Sequence, residues 1–290
     1  PYLFFMHHFR AIALLISFPI AIFLTPKLLL SISNSTLWMP VEYKVLQKTF
    51  EELASANDFG VRPLRMTIVA GHGAAYRAEG LTNCSKKQNN CSFYRDFNPF
   101  IKHQDPDVNE LIRQSDLNSG LQGWVDEGAG GLISIVRSSF YLSQFSRHDL
   151  SCLLAHELSH VISEEPFAQR LALWEINETE DEADLDQIDL EVRREGELSA
   201  DQDATLFLWR AGYPLDTCLR FRERLFKAHW YPLATDPESN YFGYDEWMTR
   251  LRIFVDENKN LDRPTNLVGT KGRWKFDRGL NVLTFIPTNS

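Results

Sequence analysis

The run His156-Glu157-Leu158-Ser159-His160 places two imidazoles four residues apart with a carboxylate beside the first. On a helix of 3.6 residues per turn, positions i and i+4 share a face, so both rings can reach one Zn²⁺ while Glu157 sits next to a water held by that ion. This is a layout for hydrolysis by a metal-activated water. Five residues also recur by chance, so their surroundings must carry the reading. Upstream, Ser146-Arg147-His148-Asp149 reads as a capping box, with Ser146 as N-cap and Asp149 reaching back. Leu150, Leu153, Leu154, Leu158 and Val161 follow at core-facing spacing, which sets the metal face beside a buried stripe.

Catalytic zinc takes three protein ligands and leaves a fourth position to water, so a second element must supply one more donor. Glu197 is the candidate. It opens Glu197-Leu198-Ser199-Ala200-Asp201 within a helix expected from about Val192 to Arg210, which Gly212, Tyr213 and Pro214 stop. Glu197 and Asp201 are again i and i+4, so one carboxylate can bind metal while the other hydrogen-bonds a ligand imidazole and fixes its tautomer. Ala200 and Ala204 are small enough to let the two helices approach closely.

These residues carry a resemblance. The run Leu153 to Val161, then Arg194-Glu195-Gly196-Glu197-Leu198-Ser199-Ala200-Asp201, then Ala211-Gly212-Tyr213-Pro214, resembles the HtpX-like and CAAX prenyl endopeptidase family of zinc metallopeptidases. The strand-like Gly131 to Arg137 extends the likeness, which covers roughly Val61 to Phe254. The resemblance implies a zincin-like domain with one zinc ion held by His156, His160 and Glu197, Glu157 as general base, and Asp201 supporting the site. That family often carries a His-Pro pair about six residues before an Arg. Here the register around Arg250 offers Tyr244 and Asp245 instead, and Asp236-Pro237 offers a second register. In the first, Tyr244 is the candidate oxyanion donor and Arg250 supports a carboxylate nearby.

Other chemistries find less in the chain. There is no Gly-x-Ser-x-Gly elbow and no phosphate loop ending in Lys-Ser or Lys-Thr, and Gly128 to Gly131 reads as a flexible entry to a strand over Leu132 to Val136. That strand is expected to be an edge where an extended peptide pairs through its backbone. A formal charge of −9 without a basic stripe argues against a nucleic-acid partner and disfavours acidic peptides. The 290 residues, 44% of them hydrophobic, can build one substantial core.

The remaining elements follow from pattern. Ala11 to Leu30, interrupted by Pro19, Pro26 and Lys27, suits a signal-peptide core or a membrane anchor, and both place the rest of the chain outside the cytosol or at its surface. Cys84 and Cys91 bracket a short polar loop that a disulfide would close in an oxidising compartment. Cys152 reads as a buried free cysteine and Cys218 as core. Glu175 to Glu191, rich in carboxylates and lacking Lys and Arg, reads as a solvated, mobile linker placed to serve as a gate. A helix is expected over Tyr43 to Ala56 and another near Leu215 to Trp230. A strand is expected over Leu64 to Ala70, and a hairpin pairs Arg273–Phe276 with Asn281–Ile286.

Together these give an α+β fold, mainly helical with a small sheet, in which residues 1–33 are a signal peptide or anchor and 34–290 a zinc metallopeptidase domain. The expected activity is endopeptidase cleavage of polypeptides in envelope or membrane protein quality control. Its partners would be polypeptide substrates, and the membrane if the first segment is retained. A zincin-fold chaperone or assembly factor that holds clients with little turnover is the alternative.

Overall fold

The computed structural model describes residues 39–71, 97–126, 131–163, 182–229, 234–239 and 241–288, among which seven helices and five strands form a mixed α+β arrangement. The sheet runs β2 (Gly123–Asp126), β3 (Leu132–Val136), β1 (Leu64–Val69), β5 (Val282–Pro287), β4 (Gly272–Asp277) in spatial order. β1 and β3 are parallel, with helix α2 (Pro106–Asn118) on the crossover between them, and every other pair is antiparallel. β3 is buried at all five positions, as its apolar run requires of a strand covered on both faces. It is an inner strand. Backbone pairing with a guest peptide along β3 is therefore ruled out, because β1 and β2 already use both of its sides; among the described residues, the edge next to it is β2.

Helix α1 (Val41–Ala54) buries Tyr43, Leu46, Phe50 and Leu53, a 3-4-3 spacing that lays one face on the core. The Tyr43 hydroxyl accepts the Ile68 N–H at 2.9 Å and donates to the Asn281 carbonyl at 2.7 Å, just where the β1–β5 ladder stops at Thr67. The expected C-terminal hairpin is present as β4 and β5.

After short α3 (Arg137–Leu142), the chain reverses through Gln144 and Phe145, both at positive φ, into α4 (Arg147–Ile162), the helix of the two histidines. Every residue of α4 from Leu150 to Ser159 is buried, so it is a central helix and not a half-exposed one. Ser146 is its N-cap, but the expected capping box does not form: the Ser146 side chain makes no cap bond, and the Asp149 carboxylate pairs with Arg224.

Helix α5 (Glu182–Arg210) packs along α4, and Ala200 and Ala204 are fully buried where the two meet. It ends in a Schellman turn: Gly212 has φ +98°, Gly212 N–H bonds the Trp209 carbonyl at 3.1 Å, and Tyr213 N–H bonds that of Leu208 at 3.0 Å. Its start lies about ten residues before the expected one, so Glu182 to Glu191 is helical and not a mobile linker. Acids suit the N-terminal end of a helix, and Asp189–Arg193 and Gln187–Glu191 brace it at i,i+4. Helices α6 (Thr217–His229) and α7 (Tyr244–Asn258) close over α5 through Leu198, Phe226, Trp247 and Met248.

Cys152 of α4 and Cys218 of α6 form a disulfide, which corrects the reading of Cys152 as a free thiol, while Cys218 lies in the core as expected. A disulfide is compatible with an extracytoplasmic compartment. Cys84–Cys91, Ala11 to Leu30, and residues 175–181 of the acidic run lie outside the described residues. Among those described, no helix is long and apolar enough to cross a membrane.

Tyr43→Phe removes the acceptor of a buried backbone N–H. It should lower unfolding free energy by about 1–3 kcal/mol in a urea titration, while a loss under about 0.5 kcal/mol would show that the hydroxyl bonds contribute little.

Candidate metal centre

Because α4 is buried and α5 lies against it, three side chains converge without any long reach. His156 Nε2 and His160 Nε2 are 3.2 Å apart, and Glu197 Oε2 is 3.2 Å from the first and 3.8 Å from the second. Nitrogen and oxygen ligands about 2.0–2.1 Å from a tetrahedral ion stand roughly 3.3 Å from one another, so the triangle already has the size of three corners of such a site. Glu197 Oε2 is buried and has no hydrogen-bond partner among the described residues, although it lies close to His156 Nε2. An oxygen buried in that state is otherwise unfavourable, and a cation would satisfy it. The group can hold a metal ion.

Behind it, Asp201 is fully buried and accepts four N–H groups. These are His156 Nδ1 at 2.9 Å, Arg222 Nε at 2.8 Å and Nη2 at 2.6 Å, and Trp247 Nε1 at 2.9 Å. With Nδ1–H directed at a carboxylate, the lone pair of His156 sits on Nε2 and faces the trio. Arg222 Nη2 is 3.1 Å from the same Nδ1, but both are donors, and Asp201 Oδ1 takes both protons.

The electrostatics ask for positive charge. Glu157, Glu197 and Asp201 are offset within the cluster by one guanidinium, Arg222, leaving two negative charges when the carboxyls are ionised and the imidazoles neutral. Protons make up the difference. Burial and Arg222 act to lower His156, but Asp201 and Glu197 outweigh them and raise it to about 10. Burial pushes Glu157 up against the pull of His156 and His160. Burial would also raise Glu197 and Asp201, yet the histidines and Arg222 around them hold both below the usual carboxylate range. A dication displaces such protons and neutralises the cluster at the same time.

In front of the trio, Glu157 lies against β2. A Cβ on Gly123 would come within 2.9 Å of Glu157 Oε1 and 3.0 Å of Ile135 Cδ1, so a side chain there would press on the Glu157 carboxylate and shift it. A cavity of about 180 Å³ opens beside it, lined by His156, Glu157, Leu121, Leu225, Phe226 and Tyr241 among others.

The structure thus brings together His156, His160, Glu197, Glu157 and Asp201. It does not bring Tyr244 or Arg250 to them. The Tyr244 ring packs edge-on to Phe226 outside the cavity, and Arg250 is engaged at the surface by Glu195 and Glu246. The tyrosine that does line the cavity is Tyr241. Arg222, Trp247, Tyr241 and Gly123 were not anticipated. Arg222 had a signal, since it falls among Cys218, Phe221 and Leu225 on the apolar side of α6, where an unpaired charge is not tolerated. Comparison of the chain with protein-family models, with curated proteins and with solved structures found no match.

Glu197→Ala removes one corner of the triangle. Zinc affinity measured by competition with a chromogenic chelator should fall by more than about 100-fold, the upper end of what loss of a supporting partner produces; unchanged affinity would place the ion elsewhere.

Proposed function

We propose that the chain is a zinc-dependent endopeptidase. The single observation that supports this best is the joint placement of a two-histidine, one-carboxylate triangle, a buried glutamate next to it, and a strand edge across from both. Two imidazoles and one carboxylate suit zinc, with a fourth position left for solvent. When bound there, zinc supplies Lewis-acid polarisation of a carbonyl and lowers the pKa of a water toward neutrality.

The chain's own residues do the rest. Glu157 takes the proton of the attacking water and returns it to the leaving amine, and burial, which raises its pKa from the ordinary glutamate value, strengthens it as a base. Asp201 keeps His156 in the Nδ1–H tautomer, and Arg222 keeps Asp201 ionised. Among the described residues β2 is the outer strand beside β3, and Gly123 sets it against Glu157, so an extended peptide would be placed by pairing along it. The family resemblance further implies a zincin-like domain acting on misfolded envelope or membrane proteins outside the cytosol. The Cys152–Cys218 bond suits that location. The N-terminal apolar segment would deliver or tether the domain.

Glu157→Gln should retain zinc and lose about 10²–10⁴-fold of its casein-cleaving activity. Undiminished cleavage would remove Glu157 from the chemistry, and zinc-independent suppression of client aggregation with no cleavage in the wild type would favour the holding role instead. Gly123→Ala should also keep its zinc, yet drop turnover about 100-fold by displacing Glu157; wild-type rates would show that the strand approach is immaterial.

A further inference from the structure

The pairs Cys152 and His156 on α4, and Cys218 and Arg222 on α6, have the same spacing of four residues. Each helix thus presents a cysteine and, one turn later, a residue of the buried cluster. The cysteines are joined, with Cα atoms 5.4 Å apart, and one turn on Arg222 Nη2 stands 3.1 Å from His156 Nδ1 while gripping Asp201 with two nitrogens. Both cysteines are fully buried, so the bond is shielded from a thiol reductant and works as a fixed staple. It is set where a small relative slide of α4 and α6 would move the guanidinium most directly against the imidazole.

We propose that Arg222, held in register by the Cys152–Cys218 staple, is a positioning residue of the metal centre. It fixes the Asp201 carboxylate, and through Asp201 the Nδ1–H direction of His156, so that Nε2 is presented to the ion without rearrangement. The inference rests on the reading of His156 as a metal ligand. Three observations separate this role from general bracing. The guanidinium is almost wholly buried, is paired with the Asp201 carboxylate, and lies over the Phe221 and Trp247 rings, each 5.8 Å from Cζ. Trp247 Nε1 adds a second donor to Asp201 Oδ2 beside Arg222 Nε, so both carboxylate oxygens are held, Oδ1 by Arg222 Nη2 and His156 Nδ1. The staple lies one turn from the site, although the same two helices also meet through Leu153, Phe221 and Leu225 in the core, where no cross-link is needed for packing.

The test uses the full chain in three variants: Arg222→Lys, which keeps the charge and loses the two-nitrogen grip, Cys152→Ala/Cys218→Ala, and all three changes together. Two quantities are read on protein shown to be folded by circular dichroism. One is the zinc dissociation constant by chelator competition, and the other is the solvent-exchange rate of the His156 Nδ1–H proton by NMR of the metal-free protein. Arg222→Lys and the double cysteine variant should each weaken zinc binding about 10- to 100-fold and speed Nδ1–H exchange, and the combined variant should be no worse than the weaker single one, because both act through one contact. Unchanged affinity and exchange in Arg222→Lys would overturn the proposal, as would fully additive losses. A lower melting temperature with unaltered zinc affinity in the cysteine variant would reduce the staple to a fold brace and overturn its part. If the cysteine variant does not fold, Arg222→Lys decides alone. A wild type that has the protected Nδ1–H but takes up no zinc would sink the metallopeptidase reading and not the positioning of His156.

Discussion

Everything near the site depends on placing the Asp201 carboxylate where no solvent reaches it. A buried anion of this kind is tolerated only if charge and hydrogen bonds meet it on all sides, and three helices contribute to that: α4 gives an imidazole, α6 a guanidinium, α7 an indole N–H. The requirement explains why α6 and α7 close over α5 where they do, with Trp247 carrying both apolar packing and the indole donor. It also explains the order of the cluster. Satisfying Asp201 consumes the one cation and the Nδ1 side of His156, so the remaining negative charge and the Nε2 lone pair point the other way, toward His160 and Glu197.

The front of the cluster obeys a different constraint, steric approach. Glu157 follows His156 by one residue and therefore leaves α4 in another direction, toward β2. Without a Cβ at position 123 that strand lies against the Glu157 carboxylate with no side chain to displace it. The His156–His160–Glu197 triangle, Glu157 and the outer strand are thus assembled by two helices and one short strand.

Much of this was legible in the sequence, and the reason is periodicity. Positions i and i+4 share a helix face whatever the rest of the chain does, so His156 with His160, and Glu197 with Asp201, could be paired before any fold was known. Ala200 and Ala204 carried the information that the two helices touch. The Gly212-Tyr213-Pro214 stop was readable because a positive φ and a missing N–H are local properties. What failed was mostly long-range. Cys152 and Cys218 are 66 residues apart, and no local pattern says that they meet. β2 is a four-residue strand beginning with glycine, too short and too poor in alternation to stand out, and without it the sequence pattern makes β3 the edge. The acidic run was read by its charge, but its helix is set by i,i+4 braces and by docking farther along α5. Tyr244 was chosen by register with a motif that this chain does not contain, and Tyr241, three residues earlier, holds the place beside the cavity.

The most direct test of the account is the coordination of zinc itself, by X-ray absorption at the zinc edge on protein loaded with one equivalent. The arrangement of His156, His160 and Glu197 predicts four nitrogen or oxygen neighbours at about 2.0–2.1 Å, two of them with the outer-shell scattering of imidazole, and no sulfur. A sulfur shell near about 2.3 Å, or a spectrum unchanged when both histidines are replaced, would contradict it.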